Sequence, residues 1–502
     1  MDINRKIISS IICIFMILLS GLMVFSSVAK GPKVIDCRRL TFYDVMGARL
    51  EAYEGTHDWR LKVHPSDLEY LENVTAETVV YVEVYVLNPR EATEYSVDLS
   101  TNETVAIYLV YQVTKEYVEK FLEIPHDRFY RSRFQPCVCM EVEAKYLEAI
   151  AELPFVYCIR VGPTEFFVET LNESIVTSGS VTIEQARTYN KIKYVLQNKD
   201  STVDKMQIAI IDNGYDKTDS LLNGEASDNI AYHWDFHFDD SGVSDGNNEH
   251  GTTCLDLLAR AFGDTDSDPE TPDPMYEDEE IYYVLKTDYV RGATREAIEW
   301  CLDNDPEVVS MSFGGWDWWK SKTICQSWWC DLFKSGVESG ITWVAATGND
   351  GKEDKVRYPS QCYWVISVGA YEDLSGGKAY RWSDSNYGTV IYAEWKPQGL
   401  YVYCEYCWNY NHMNEFKPNI YDAGAITGVG EGTSLATPLA AACIALGVYS
   451  SGADPGRDQG WVPGYSNLRS AVHSCHTYPV KPDASSQNGD VMNCLILWDA
   501  FG

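Results

Sequence analysis

The stretch Met206-Gln-Ile-Ala-Ile-Ile-Asp212-Asn-Gly214 decides the class of fold. Its apolar run does not alternate with polar residues. A strand of that kind is buried on both faces, and such strands belong to parallel sheets. Asp212 ends the run and a glycine turn follows, which puts a carboxylate at the sheet edge. Asp-x-Gly is also an ordinary turn signal, so this segment alone does not define a site.

Further along the chain the pattern repeats. Ile281–Leu285, Val308–Met311 and Ile341–Ala346 are apolar strands. Gly251–Phe262, Arg291–Asn304 and Thr323–Ser339 carry helical spacing between them. The alternation predicts an α/β fold, a parallel sheet with helices on both faces. Ligands of such sheets sit beyond the carboxyl ends of the strands. Asp212, Ser312 and Asn349 all fall at or just past those ends.

Five segments carry candidate chemistry. In Gly432-Thr-Ser434-Leu-Ala-Thr-Pro438 a small, apolar helix begins at a serine, where unpaired N–H groups and the positive dipole end favour an oxyanion. An N-cap serine reads the same way. Glu249-His250-Gly251-Thr252 places a histidine where an acidic loop meets a helix, although single histidines are usually structural. Asp212 ends a strand, as above. Ala345-Ala-Thr-Gly-Asn349-Asp-Gly351 offers an amide donor after another apolar strand. Ser310-Met-Ser-Phe-Gly-Gly315 is an extended edge to which a peptide can add as a strand. Each segment is ambiguous alone, but the five together in the order Asp, His, Ser are hard to obtain by chance.

These segments resemble the subtilisin-like serine peptidases. The resemblance rests on Ile210-Ile-Asp212-Asn-Gly214, His250-Gly-Thr252 and Gly432-Thr-Ser434-Leu-Ala-Thr-Pro438. Tyr358-Pro359, Val368-Gly-Ala370, Arg381-Trp-Ser383, Lys417-Pro-Asn419 and Gly489-Asp-Val-Met-Asn493 follow in order. It implies a serine endopeptidase with Asp212, His250 and Ser434 as catalytic triad and Asn349 in the oxyanion hole, acting on protein or peptide substrates without a metal or cofactor in the chemistry. It also implies a primary pocket walled by Ser312-Phe313-Gly314 and Ala346-Thr347-Gly348, with Arg357 near its floor. A guanidinium there either selects acidic residues before the scissile bond, or turns outward to solvent or pairs with Glu353 or Asp354. The sequence departs from the family at Thr253, where a second histidine is usual, at Asn213, where Thr or Ser is common, and at Asp422-Ala-Gly424, which lacks a proline. A serine-carboxyl peptidase on the same fold would replace His250 and Asn349 with Glu and Asp. A non-catalytic binding protein would carry a broken triad, and none of its three residues is missing.

The N-terminal part reads differently. Arg5 and Lys6 precede an apolar run from Ile7 to Ala29 that ends in Ser-Val-Ala, an export signal, or a membrane tether if uncleaved. Residues 30–175 form a small α+β domain, with strands at Val79–Leu87, Thr104–Val113, Cys137–Val142 and Phe155–Val161 and helices at Lys115–Glu123 and Lys145–Leu153. This region resembles the family's ferredoxin-like propeptide, which implies an intramolecular inhibitor. A polar stretch up to Ser180 leads into the catalytic region, 181–502.

The chain carries 74 acidic against 40 basic residues, a net charge of −34, which excludes nucleic acid as a partner. The acidic loop from Asp264 to Glu280 is either solvated or a structural calcium site, and its spacing fits no defined calcium motif. Of the fifteen cysteines, Cys13 lies in the apolar run. In an exported chain Cys325/Cys330, Cys404/Cys407 and Cys475/Cys494 are expected to form internal disulfides. Two of the short pairs can instead meet as a zinc site. Cys254 and Cys443 read as buried free thiols.

Overall fold

The structure, a computed structural model, describes residues 49–50, 52–64, 67–86, 121, 123–135, 137–153, 156–166, 181–198, 206–216, 229–245, 249–262, 280–315, 325, 328–375, 378–396, 399–402, 404, 407, 414–448, 479–481 and 489–490. The export signal, the strand expected at Thr104–Val113, the acidic loop 264–279 and the pair Cys475/Cys494 lie outside them. Among the described residues no helix is long and apolar enough to cross a membrane.

Four antiparallel strands form the N-terminal sheet: β1 (Val79–Tyr85), β2 (Arg128–Arg131), β3 (Cys137–Glu143) and β4 (Cys158–Gly162), in the order β2-β3-β1-β4. Alternation sorts their side chains. Val80, Val82, Val84, Val138, Met140, Val142, Ile159 and Val161 pack on α1 (Leu147–Glu152) through Leu147 and Ile150. The opposite face shows Tyr81, Tyr85, Cys137, Cys139 and Cys158, and these join the core of the larger region. β2 was not expected from sequence, because Arg-Phe-Tyr-Arg is short and half-buried throughout.

The larger region is built on a parallel sheet. β5 (Met206–Asp212), β6 (Ile230–Asp235), β7 (Glu280–Lys286), β8 (Val308–Met311), β9 (Thr342–Ala346) and β10 (Val365–Ser375) lie in the order β6-β7-β5-β8-β9-β10, all parallel. β11 (Lys378–Arg381) pairs antiparallel with β10. Small hairpins follow: β12 (Gly388–Ile391) with β15 (Asn414–Lys417), and β13 (Ala393–Lys396) with β14 (Gly399–Val402). β16 (Ile420–Ala423) runs parallel to β10. β6 and β10 are the strands of this order that the sequence reading did not place; in β6 only Asp235 is buried.

Helices α2 (Ile183–Tyr189), α3 (Ile192–Asn198), α4 (His250–Phe262), α5 (Arg291–Asn304), α6 (Cys330–Ser339) and α7 (Thr433–Val448) complete the region. The helix expected from Thr323 begins only at Cys330 among the described residues. In α7 the side chains from Thr433 to Leu446 that are apolar are buried all round, as a helix without a polar face must be. The sheet reverses direction of growth at β5: the chain adds β7 and β6 on one side and β8 on the other. That switch point opens a crevice at the carboxyl ends of β5 and β8.

Candidate active site

Asp212 is the last residue of β5 and is 1% exposed. His250 opens α4, also 1% exposed, and its Nδ1 lies 2.8 Å from Asp212 Oδ1. The two motifs dock through Asn213, whose Oδ1 accepts from Gly251 N at 2.8 Å. A side chain at Gly251 would meet the carbonyl oxygen of Gly214 at 2.0 Å, so only glycine allows this approach. Asn213 thus ties the aspartate turn to the histidine helix.

Ser434 lies in the first turn of α7 and lines one pocket with His250, Asn349, Ser312 and Gly314. Four residues later Pro438 has no N–H to give the Ser434 carbonyl. That oxygen instead accepts from Ser312 Oγ at 2.9 Å and from Cys254 Sγ at 3.6 Å. Asn349 follows β9; its Oδ1 accepts from Thr433 N at 2.9 Å and from Thr433 Oγ1 at 2.7 Å. With the carbonyl side engaged, the amide nitrogen faces the start of α7, 3.4 Å from where a Cβ on Gly432 would stand.

Two neighbours of His250 were not foreseen. The Tyr289 hydroxyl donates to Asp212 Oδ1 at 2.6 Å and lies 2.9 Å from His250 Nδ1. Asp288 and Tyr289 both have left-handed backbone, φ 47° and 62°, and this turn after β7 swings the phenol inward. Sequence periodicity carries no signal for such a turn. Cys254, one helical turn after His250, is buried beside it with its Sγ 3.9 Å from Nδ1. Burial works against a charged imidazole, but the Asp212 carboxylate, with Cys254 behind it, outweighs that and holds His250 well above 6.5. Burial and the same carboxylate push the Tyr289 phenol well above 10.

Ser312, Phe313, Gly314, Ala346, Gly348 and Arg357 line that same pocket, while Thr347 is buried outside its lining. Phe313 packs against Phe166 and Tyr289, with ring centroids 5.4 Å and 5.8 Å apart. Thr347 N donates to Val368 O at 3.0 Å and Gly348 N to Thr433 Oγ1 at 3.1 Å. Arg357 reaches across between Gly314 and Gly348: a Cβ on either would stand within 2.8 Å of its side chain. Its guanidinium pairs with Asp350, Nη2 at 3.0 Å and Nε at 3.2 Å, and neither Glu353 nor Asp354 takes that place. The cavity left between these walls holds about 20 Å³.

The N-terminal domain closes on the same region. Phe166 N donates to Tyr289 O at 2.9 Å, and Glu165 forms a bridge with Val290. Farther back Glu83, fully buried, accepts from Arg295 Nη1 at 2.6 Å, Trp329 Nε1 at 2.7 Å, Tyr81 OH at 3.0 Å and Tyr85 OH at 3.1 Å. Arg295 also reaches Glu299, whose carboxylate takes Ser132 Oγ at 2.6 Å and Tyr130 OH at 2.5 Å.

Cys254 and Cys443 are buried thiols outside any disulfide. Cys325, Cys330, Cys404 and Cys407, expected to bridge in local pairs, are free thiols. The Cys325 and Cys330 sulfurs stand 3.5 Å apart, because the two short segments face each other and gather all four sulfurs in one place.

Residues 204–451, about half of the chain, match the family described as the subtilase family, Peptidase_S8. The chain is similar to the minor extracellular protease Epr of Bacillus subtilis (strain 168), 22% identical over 388 residues, covering 75% of this chain and 52% of that protein. The chain thus spans about half the length of this curated relative. Among solved structures it is similar to the prenylagaramide maturation protease PagA, at 19% identity over 62% of this chain and 97% of that one, with a TM-score of 0.39.

Proposed function

The chain belongs to the subtilase family through residues 204–451, and from that premise we propose that it is an exported serine endopeptidase that cleaves protein or peptide substrates through an acyl-enzyme on Ser434. The observation that carries this reading is the 2.8 Å bond between Asp212 and His250 at the mouth of a pocket shared with Ser434 and Asn349.

In this mechanism Ser434 Oγ attacks the scissile carbonyl carbon and its proton passes to His250. Nδ1 is engaged by Asp212, so Nε2 takes that proton. Asp212 holds the tautomer and stabilises the imidazolium. The negative charge moves to the carbonyl oxygen, where the Asn349 amide and the backbone N–H of Ser434 receive it; one such donor is worth about 10²–10³ in turnover. When the C–N bond breaks, His250 returns the proton to the leaving amine. Water then repeats the sequence on the ester and frees Ser434.

The 30–175 region acts in this proposal as propeptide and intramolecular inhibitor. The antiparallel strand order β2-β3-β1-β4 is that of a ferredoxin-like domain, and Phe166 sits on Phe313 beside the pocket. Export rests on the apolar N-terminal run and agrees with the extracellular relative named above.

A fluorophosphonate probe tests the reading. Labelling that maps to Ser434 and disappears in His250→Ala supports it, and Ser434→Ala leaves an unprocessed precursor. An unlabelled, folded protein would make it a non-catalytic binder.

A further inference from the structure

We propose that Cys325, Cys330, Cys404 and Cys407 bind one structural zinc ion, at a site separate from the catalytic pocket. This inference does not rest on the proteolytic reading.

The four sulfurs all lie within 4.8 Å of one another, with Cys325 3.5 Å from Cys330 and 3.7 Å from Cys407. Four thiolates around zinc at about 2.3 Å in a tetrahedron place their sulfurs about 3.8 Å apart. The observed spacings are those of a ligand set closed around one small ion. All four side chains are at most 1% exposed, so water reaches none of them freely. A soft, tetrahedral, all-sulfur set selects zinc or iron over calcium or magnesium.

The backbone around the sulfurs points the same way. Cys407 N donates to Cys404 Sγ at 3.3 Å. Tyr363 N donates to Cys407 Sγ at 3.2 Å. Amide donors aimed at sulfur stabilise thiolates over thiols and are the outer shell of a metal-thiolate site. Charge fits too. Four thiolates and one zinc ion leave two negative charges. Close by, the buried Lys417 ammonium is held by neutral oxygens, Cys362 O at 2.8 Å, Val365 O at 2.9 Å and Asn419 Oδ1 at 3.3 Å. A cation in that position is balanced by an anionic cluster beside it.

Topology explains what the ion does. Cys330 starts α6, while Cys404 and Cys407 follow the β13–β14 hairpin. Local disulfides would close loops of a few residues and leave these two elements unconnected. One ion ties them together and so fixes the hairpin region to the flank of the parallel sheet. Cys362 lies 3.3 Å from Cys407 but falls outside the mutually close set of four, which makes it a neighbour and an internal control.

The full chain, purified without chelator or added metal, is analysed for metal content and for free thiols under denaturing, non-reducing conditions. We expect one zinc per chain, its loss on treatment with a mercurial, and the four thiols recovered as free. Cys404→Ser/Cys407→Ser loses the metal, whereas Cys362→Ser keeps it. Cobalt exchanged into the site gives the intense visible bands of tetrahedral thiolate ligation. The proposal is overturned if peptide mapping finds Cys325–Cys330 and Cys404–Cys407 disulfides, if the metal is iron, or if the Cys404→Ser/Cys407→Ser protein retains its zinc.

Discussion

Glu83→Gln tests whether the N-terminal domain is held by charge. In the native protein four donors converge on that carboxylate, and two of them, Arg295 and Trp329, come from the α5 and α6 side of the contact. Removing one member of a buried ion pair costs about 3–5 kcal/mol, because the other charge is stranded. Arg295 here keeps Glu299 at 3.2 Å, so the lower end, about 3 kcal/mol, is the appropriate figure. That corresponds to roughly a hundredfold shift in the equilibrium between docked and undocked states. The assay is urea unfolding of the full chain in a Ser434→Ala background, followed by tryptophan fluorescence, since Trp329 itself bonds to Glu83. The variant Glu83→Leu/Arg295→Met/Glu299→Leu removes all three charges of the buried triad and regains much of the loss, as buried pairs and triads replaced by apolar residues commonly do. A Glu83→Gln protein within about 0.5 kcal/mol of its parent would refute the reasoning. So would a triple variant as unstable as the sum of its single changes.

Three further outcomes follow from the site. His250 titrates well above 6.5 and must be neutral to take the Ser434 proton, so kcat/KM falls as pH drops through that raised value; the same elevation adds stability that is complete below about 6.5 and is lost as pH rises through the folded value, and an acid limb at or below 6.5 in a rate profile would contradict it. Tyr289→Phe strips a donor from Asp212, which strengthens its pull on the imidazole: the acid limb moves to higher pH and kcat at neutral pH drops about five- to a hundredfold with KM little changed, whereas an unmoved profile would reduce Tyr289 to packing. Asp350 already neutralises Arg357 and about 20 Å³ remains beside it, so peptides with Gly or Ala before the scissile bond are cleaved ahead of those with Phe or Glu, and Arg357→Gly admits large apolar residues; a library in which Glu leads would show that Asp350 leaves the guanidinium able to select acids.

What could be read from the sequence and what could not divide along a physical line. Asp212, His250, Asn349 and Ser434 each sit at the end of one strand or the start of one helix, and a local run of residues is enough to define such a position. The parallel sheet was legible for the same reason, since β5, β7, β8 and β9 are apolar runs of their own. Contacts made by two distant elements were not legible. In Val79-Val-Tyr-Val-Glu83-Val-Tyr85 alternation would send the glutamate to solvent, yet it is fully buried because α5 supplies the arginine and Trp329, just before α6, the indole N–H that allow it. Cys325/Cys330 and Cys404/Cys407 invite a local pairing because spacing along the chain is all that sequence shows; their gathering depends on the chain after β14 coming beside the start of α6.

Pro438 shows how a motif can be recognised before its cause. It stands in the run that marks the serine segment, and a proline six residues into a helix is ordinarily a liability of ~3 kcal/mol. Here its missing N–H frees the Ser434 carbonyl for Ser312 Oγ and Cys254 Sγ, so α7 is tied by its first turn to the end of β8 and to α4, the elements that carry a pocket wall and His250. The helix loses one internal bond and gains a fixed position for the residue that must meet the imidazole. A substitution that restores the N–H, Pro438→Ala, therefore improves the helix and loosens the site: thermal stability is kept or raised while kcat falls, and a variant that gained both would show that the carbonyl contact does not position Ser434.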